Sequence, residues 1–363
     1  MTTGRQPADP IAFPCGQSMR NRFALAPLTN TQSHDDGQMS DDEFRWLTMR
    51  ARGGFGLTMS CATHVQAAGQ GFPGQLGFFD DRLMDGLKRL AVGISEAGSL
   101  AVAQLFHAGL RSPSKLIGQA PQSASDHPKS GARGLALDEV HRLRDDFVAA
   151  ALRAQRAGFH GIQVHGAHGY IVAQFLSAQY NQREDRYGGR LENRERLLFE
   201  IVDGVRQSCG GDFWLGVRLS PERFGMRLSE TLATSQRLVD SGHIDALDLS
   251  LWDAFKQPHE PEHAGRSLLE HVTSLDMKGV ALGVAGNIRT GADCAKILAS
   301  GVDILTVGRS AILHHDFPRR VIAAPDFQPA ALPVSADYLR REGLGEAFVR
   351  YMQRWDGFVA EAS

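Results

Sequence analysis

The segment GIQVHGAHGYIVAQF, residues 161 to 175, decides the fold. Its first five residues alternate: Ile162 and Val164 share one face of an extended strand, Gln163 and His165 the other. A sheet sandwiched between helices buries both faces and reads as a continuous apolar run. A strand with one apolar face and one polar face, followed at once by His168 and Tyr170, fits a barrel whose outside packs on helices and whose inside opens at a polar mouth.

Seven further short apolar runs share that character: RFALAP (22 to 27), GLTMS (56 to 60), LAVAQL (100 to 105), WLGVRLS (214 to 220), ALDLS (246 to 250), ALGVAG (281 to 286) and DILTVG (303 to 308). Each is too short, too β-branched or too closely flanked by glycine to be a helix. Between them lie amphipathic segments with helical caps, such as residues 138 to 158, 192 to 211, 229 to 242 and 290 to 301, each ending at glycine. Strand and helix alternating in this way predict a closed (β/α)8 barrel, an α/β fold of TIM type, over residues 1 to 322. Residues 323 to 363 form a tail whose apolar spacing predicts short helices, packed on the barrel or on a second copy in a homo-oligomer. GQGFPG (69 to 74) matches a dinucleotide-binding glycine string in letters only. It contains a proline and opens no helix, so it is expected to be a mobile loop. The long Gly/Ser/Pro-rich stretch from 108 to 137 is expected to be a substrate or lid loop.

Composition sets the outer limits. The chain of 363 residues is 42% hydrophobic and 22% charged, with a formal net charge of -2, which gives nucleic acid no basic surface to bind. No leader-like or membrane-length apolar run is present, so a cytoplasmic protein acting on small molecules, without a membrane partner, is expected. The four cysteines are isolated, which argues against a metal centre or a disulfide framework.

Strand alternation places polar residues inside the barrel. Gln104, His165, Arg218 and Ser250 face inward near the C-terminal mouth, where such barrels build their sites, with Asp248 on the same inner face. An arginine there is costly to desolvate alone, so something polar is expected in the mouth. The last two strands each end in glycine and a polar residue before a helix. Gly286, Asn287, Gly308 and Arg309 would offer backbone N–H groups and a cation to a phosphate.

These residues resemble the old yellow enzyme family of FMN-dependent oxidoreductases. HGAHGYIVAQFLSAQYNQREDRYGGRLENRERLLFEIVDGVR (165 to 206) carries the resemblance, with RFALAPLTN (22 to 30) and ILTVGRSAI (304 to 312) agreeing in order and position. It covers residues of about 10 to 322. The resemblance implies FMN as cofactor and NAD(P)H as reductant. Gln104 would bond the flavin's pyrimidine side, and Arg218 would lie near its N1/O2 edge. Ala26, Pro27, Thr29 and Ala62 would line the ring, and Asn287, Gly308 and Arg309 would hold the phosphate. His165 and His168 would donate hydrogen bonds to a substrate carbonyl, and Tyr170 would protonate the α-carbon. The expected reaction is reduction of activated alkenes: enones, maleimides or nitroalkenes.

The sequence also departs from individual branches. Thr29 stands where one bacterial branch has a cysteine, and Thr31 where that branch has a substrate-contacting tyrosine. Phe72, Phe106, Trp252 and Phe255 are expected to shape the substrate pocket. The tail follows neither branch; in some relatives an arginine and an aromatic near the C-terminus reach a neighbour's site, and Arg354 and Trp355 are the candidates for that role here. Alternative readings are a flavin-dependent demethylase or dehydrogenase and, in another class, a metal-dependent barrel hydrolase. His-x-x-His alone lacks the further ligands zinc favours, so no metal is expected.

Overall fold

Eight parallel strands close on themselves in a computed structural model that describes residues 4–361. They are β1 Phe23–Leu25, β2 Leu57–His64, β3 Leu100–Phe106, β4 Gly161–Gly166, β5 Trp214–Leu219, β6 Ala246–Ser250, β7 Ala281–Ala285 and β8 Ile304–Val307. Each pairs with the next in chain order, and β8 pairs back on β1. The eight apolar runs of the sequence are these eight strands.

A helix follows every strand: α1 Asp41–Arg52, α2 Met84–Ser95, α3 Leu137–Arg156, α4 Arg196–Cys209, α5 Leu228–Asp240, α6 Leu268–Val272, α7 Gly291–Ala299 and α8 Arg309–Leu313. Local chemistry sets their ends. Ser40 caps α1 by accepting from the Glu43 N–H, and Thr290 caps α7 by accepting from the Asp293 N–H. The outward strand residues, including Ile162, Val164, Leu215, Val217, Leu247 and Leu249, join the helices in one apolar cluster.

The inward residues divide into two layers. Near the strand starts, Leu57, Met59, Leu100, Val102, Trp214 and Ile304 form a separate dry cluster. It is closed from below by Ile11, Phe13, Cys15 and Met19, which belong to an N-terminal hairpin in which residues 11–12 pair with residues 18–19. Phe13 meets Trp214 edge to face at 5.8 Å. Gly216 makes room for that indole, since an added Cβ would lie 2.5 Å from Trp214 Cη2. Above this floor the inner surface turns polar, with Gln104, Gln163, Arg218, Asp248 and Thr306 all buried.

One connecting segment departs from expectation. Residues 69 to 74 are tied down rather than mobile: the Gly69 carbonyl accepts from the Ala108 N–H (2.9 Å), and the Gly74 N–H donates to Asp35 Oδ1 (2.8 Å). The tail covers its own barrel. Phe348, in the helix Glu346–Met352, packs edge-on against Trp46 of α1 at 5.4 Å, and the Gly345 N–H donates to Gln32 Oε1. Among the described residues no helix is long and apolar enough to cross a membrane.

Candidate active site

The polar layer is one hydrogen-bonded network across the barrel. Gln104 Nε2 donates to Gln163 Oε1 (2.7 Å), Gln163 Nε2 to Asp248 Oδ2 (3.4 Å), and Thr306 Oγ1 to Asp248 Oδ1 (3.1 Å). Arg218 Nε lies 3.2 Å from Asp248 Oδ2, and Arg218 Nη2 donates to Ser250 Oγ at 3.4 Å. Asp248 is therefore the counter-charge that Arg218 needs, and no anion in the mouth is required to balance it. Gln104 Oε1 is buried with no hydrogen-bond partner, and Arg218 Nε, though ion-paired with Asp248, makes no aligned hydrogen bond. A buried orphan of this kind marks a place for a polar ligand.

The three candidate catalytic side chains meet at the top of β4. Rings of His165 and His168 stand perpendicular at 5.1 Å, and His165 lies 5.2 Å from Tyr170. His165 is in register with Arg218 on β5. Its Nδ1 accepts from the Ala167 N–H (3.2 Å), so a neutral ring carries its proton on Nε2. His168 adopts a left-handed backbone (φ 59°), with its N–H donating to Ser220 Oγ (3.0 Å) and its Nε2 2.9 Å from Ser250 Oγ.

Their protonation follows from burial. Desolvation, then His168 and Arg218, hold His165 well below the ordinary imidazole value. Desolvation, then Arg218 and Arg111, bring His168 down to about 3. Both rings are neutral hydrogen-bond donors at neutral pH. Burial raises the Tyr170 phenol, with Arg111 opposing, so Tyr170 keeps its proton. Phe106 sets the Tyr170 ring from behind, edge to face at 4.4 Å.

A cavity of about 280 Å³ opens beside this cluster. Ala26, Pro27, His168, Arg218, Ser250 and Thr306 line its inner part, and Gly286, Asn287, Gly308 and Arg309 its far end. Gly286 sits where an added Cβ would come 2.8 Å from the Ala254 nitrogen, so the loop after β7 passes close against the loop after β6. Asn287 is left-handed (φ 56°) and its Oδ1 accepts from Arg309 Nη2 at 2.7 Å. Neither Arg309 nor the neighbouring Arg289 is in an ion pair among the described residues, so the far end carries uncompensated positive charge.

Other candidates lie elsewhere in the mouth or outside it. Ala62 is level with Gln104 on β2, just past a register shift. Thr29 is partly buried in the loop after β1. Thr31 turns away and donates its hydroxyl to the Ala347 carbonyl (3.3 Å), joining the loop to the tail. Phe72 does not line the cavity. Phe255 packs on the helical shell with Lys296 Nζ 3.9 Å above its ring, because the chain reverses at Trp252 (φ 66°) before reaching it. Trp252 and the tail's Trp355 do line the cavity. Arg354 does not line it. The residues that the sequence left unassigned are Asp248, Gln163 and Thr306, legible through alternation, and Arg111, Arg223 and Phe224 on loops.

The fold and mouth define a class: a (β/α)8 barrel whose mouth joins a buried Gln/Arg layer to a cationic far end, suited to a polar ligand that carries an anion. The chain belongs to the NADH:flavin oxidoreductase / NADH oxidase family, whose model matches residues 9–324. It is 32% identical over 324 residues to the probable NADH-dependent flavin oxidoreductase YqiG of Bacillus subtilis (strain 168), covering 86% of this chain and 87% of that one. It is 30% identical over 380 residues to the NADH:fumarate oxidoreductase of Klebsiella pneumoniae (strain 342), covering 98% of this chain but only 41% of that longer protein. The old yellow enzyme homologue from Zymomonas mobilis superposes with a TM-score of 0.76 at 28% identity, covering 95% of this chain and 99% of that one. The protein is thus an FMN-dependent NAD(P)H oxidoreductase of the old yellow enzyme family. Its unpartnered Gln104 Oε1, the neighbouring Arg218 guanidinium and its cationic far end suit the polar ring edge and the phosphate of FMN. The metal-hydrolase alternative falls with this assignment.

Proposed function

We propose that this enzyme reduces activated carbon–carbon double bonds, in enones, maleimides or nitroalkenes. The observation that carries the reading is the pairing of two neutral histidines, the buried His165 and the half-buried His168, with a protonated tyrosine beside the cavity. Gln104 and Arg218 would bond the ring edge of FMN. Ala26, Pro27, Thr29 and Ala62 would line the ring, and Gly286, Asn287, Gly308 and Arg309 would hold the phosphate. FMN, when bound, supplies the hydride that NAD(P)H provides.

The chain's own residues do the rest. His165 Nε2–H, fixed by the Ala167 contact, and an N–H of His168 donate to the substrate's carbonyl or nitro oxygen. Negative charge grows on that oxygen as the β-carbon takes the hydride, and neutral donors held in a water-poor site stabilise it without reorganising. Tyr170 gives its phenolic proton to the α-carbon. Arg111, against the Tyr170 ring at 5.5 Å, stabilises the phenolate that remains.

The test is stopped-flow reoxidation of the reduced enzyme by 2-cyclohexenone, beside an absorption titration of the oxidised enzyme with a simple phenol. His165→Ala is expected to keep its flavin, lose about a hundredfold in reoxidation rate, and lose the long-wavelength charge-transfer band of the phenolate complex. An unchanged rate and band in this variant would exclude the histidines from the role given to them.

A further inference from the structure

Outside His168 the rim carries two arginines stacked through one aromatic ring. Arg111 Cζ lies 5.5 Å from the Tyr170 ring and 5.2 Å from that of Phe224; Arg223 Cζ lies 5.6 Å from Phe224 and 4.4 Å from Trp252. Phe224 in turn stands 6.1 Å from the His168 ring. Both guanidiniums thus sit within roughly 10 Å of one another, about a Debye length at 0.1 M salt. Neither is in an ion pair among the described residues. The nearby acids are engaged elsewhere: Glu222 by Lys256, His259 and the His259 N–H, and Asp253 by Asn287 and the Phe255 N–H.

The backbone shows that this arrangement is held. Seven non-glycine residues have left-handed φ among the described residues, and all but Lys278 lie in loops at the barrel mouth: Thr31, His168, Arg223, Phe224, Trp252 and Asn287. Arg223 (φ 67°) and Phe224 (φ 51°) are consecutive, and each such residue costs about 1 to 3 kcal/mol. The turn is pinned by the Met226 N–H on the Arg223 carbonyl (2.8 Å) and by the Ser177 hydroxyl on the Gly225 carbonyl (2.7 Å). Strain is thus concentrated in the loop that holds an exposed, unpaired cation on the rim, against the cavity-lining Trp252.

We propose that Arg111, Phe224 and Arg223 form an oxyanion subsite, and that the alkene reduced here carries a carboxylate or phosphate at the end remote from its activating group. The proposal rests on the alkene-reductase reading for the identity of the substrate, though not for the anion. An acidic group at this rim gains charge-assisted hydrogen bonds from a planar guanidinium fork, and the Phe224 ring holds both arginines beside it.

The flavin-loaded enzyme should be titrated with 4-hydroxybenzoate and with 4-hydroxybenzamide, binding being read from the flavin absorbance. Wild type is expected to prefer the acid, in a salt-sensitive manner. Arg223→Gln should lower the acid-to-amide affinity ratio by about tenfold, Arg111→Gln combined with it should lower the ratio further, and Arg223→Lys should keep most of it. An acid bound no better than the amide, or a ratio unmoved in the double variant, overturns the proposal. So does a loss confined to NADH in the reductive half-reaction, which would assign the rim to the dinucleotide phosphates. Failure of wild type to be reoxidised by cyclohexenone would count against alkene reduction, while the acid-to-amide ratio would still report on the rim.

Discussion

Replacing Asp248 by asparagine removes the charge that Arg218 faces and leaves the shape of the layer almost intact. At 3.2 Å and an effective dielectric constant of about 20, the pair's attraction is about 5 kcal/mol before desolvation is counted. The side chains are only 5% and 6% exposed, so water does little to replace the lost partner. Asparagine can still accept from Thr306, but its NH2 then confronts Gln163 Nε2 and Arg218 Nε, donor against donor. Breaking one side of a buried pair costs about 3 to 5 kcal/mol, and with the Thr306 bond kept a loss near 3 kcal/mol is expected. Urea unfolding of the flavin-free protein, followed by circular dichroism and tryptophan fluorescence, measures it. Arg218→Met combined with Asp248→Asn should recover at least half of the loss, because no lone charge then remains buried. A loss under about 1 kcal/mol, with the two substitutions additive within about 0.5 kcal/mol, would refute the view that Asp248 balances Arg218.

Two further outcomes follow from the buried groups and the far end of the cavity. Desolvation lowers His64 and His168 to about 3 and His107 to about 4, and lowers His165 as well. Their folded pKa values lie below the unfolded value, so the unfolded chain binds more protons. Stability is complete above about pH 6.5 and is lost as pH falls, by up to about 1.4 kcal/mol per pH unit for each histidine. Denaturant midpoints that do not move between pH 6.5 and 5 would contradict this. Gly308→Ala meets nothing nearer than Leu28 at 3.5 Å, so the protein has room for the methyl group. The added methyl faces the proposed phosphate end, so FMN affinity should fall about tenfold while the apoprotein folds; undiminished flavin retention on gel filtration would show that the phosphate lies elsewhere.

The barrel was readable because its interior and exterior impose a period of two on every strand. Gln104, Arg218 and Asp248 could each be turned inward from neighbours such as Leu215, Val217, Leu247 and Leu249. Pairing was harder to read than facing. Asp248 and Arg218 lie on adjacent strands in direct register, and that register is set by barrel closure rather than by either segment alone. The loops hid more. Arg223, Phe224 and Trp252 owe their directions to left-handed backbone that no glycine announces, and one such reversal carries Phe255 out to the helical shell. Residues 69 to 74 read as free because their anchors, Asp35 and Ala108, come from two other loops.

The hairpin that seals the barrel floor has a kinetic consequence. With Phe13 and Met19 closing the lower end over dry side chains, the polar interior opens at the opposite end, where the cavity lies. With FMN across that mouth as proposed, reductant and acceptor would take turns at one face of the cofactor. An excess of acceptor would then occupy the doorway while the flavin is still oxidised, and an excess of NAD(P)H would do so once it is reduced. Turnover should pass through a maximum as either concentration rises, so the balance between the two ligands sets the working rate.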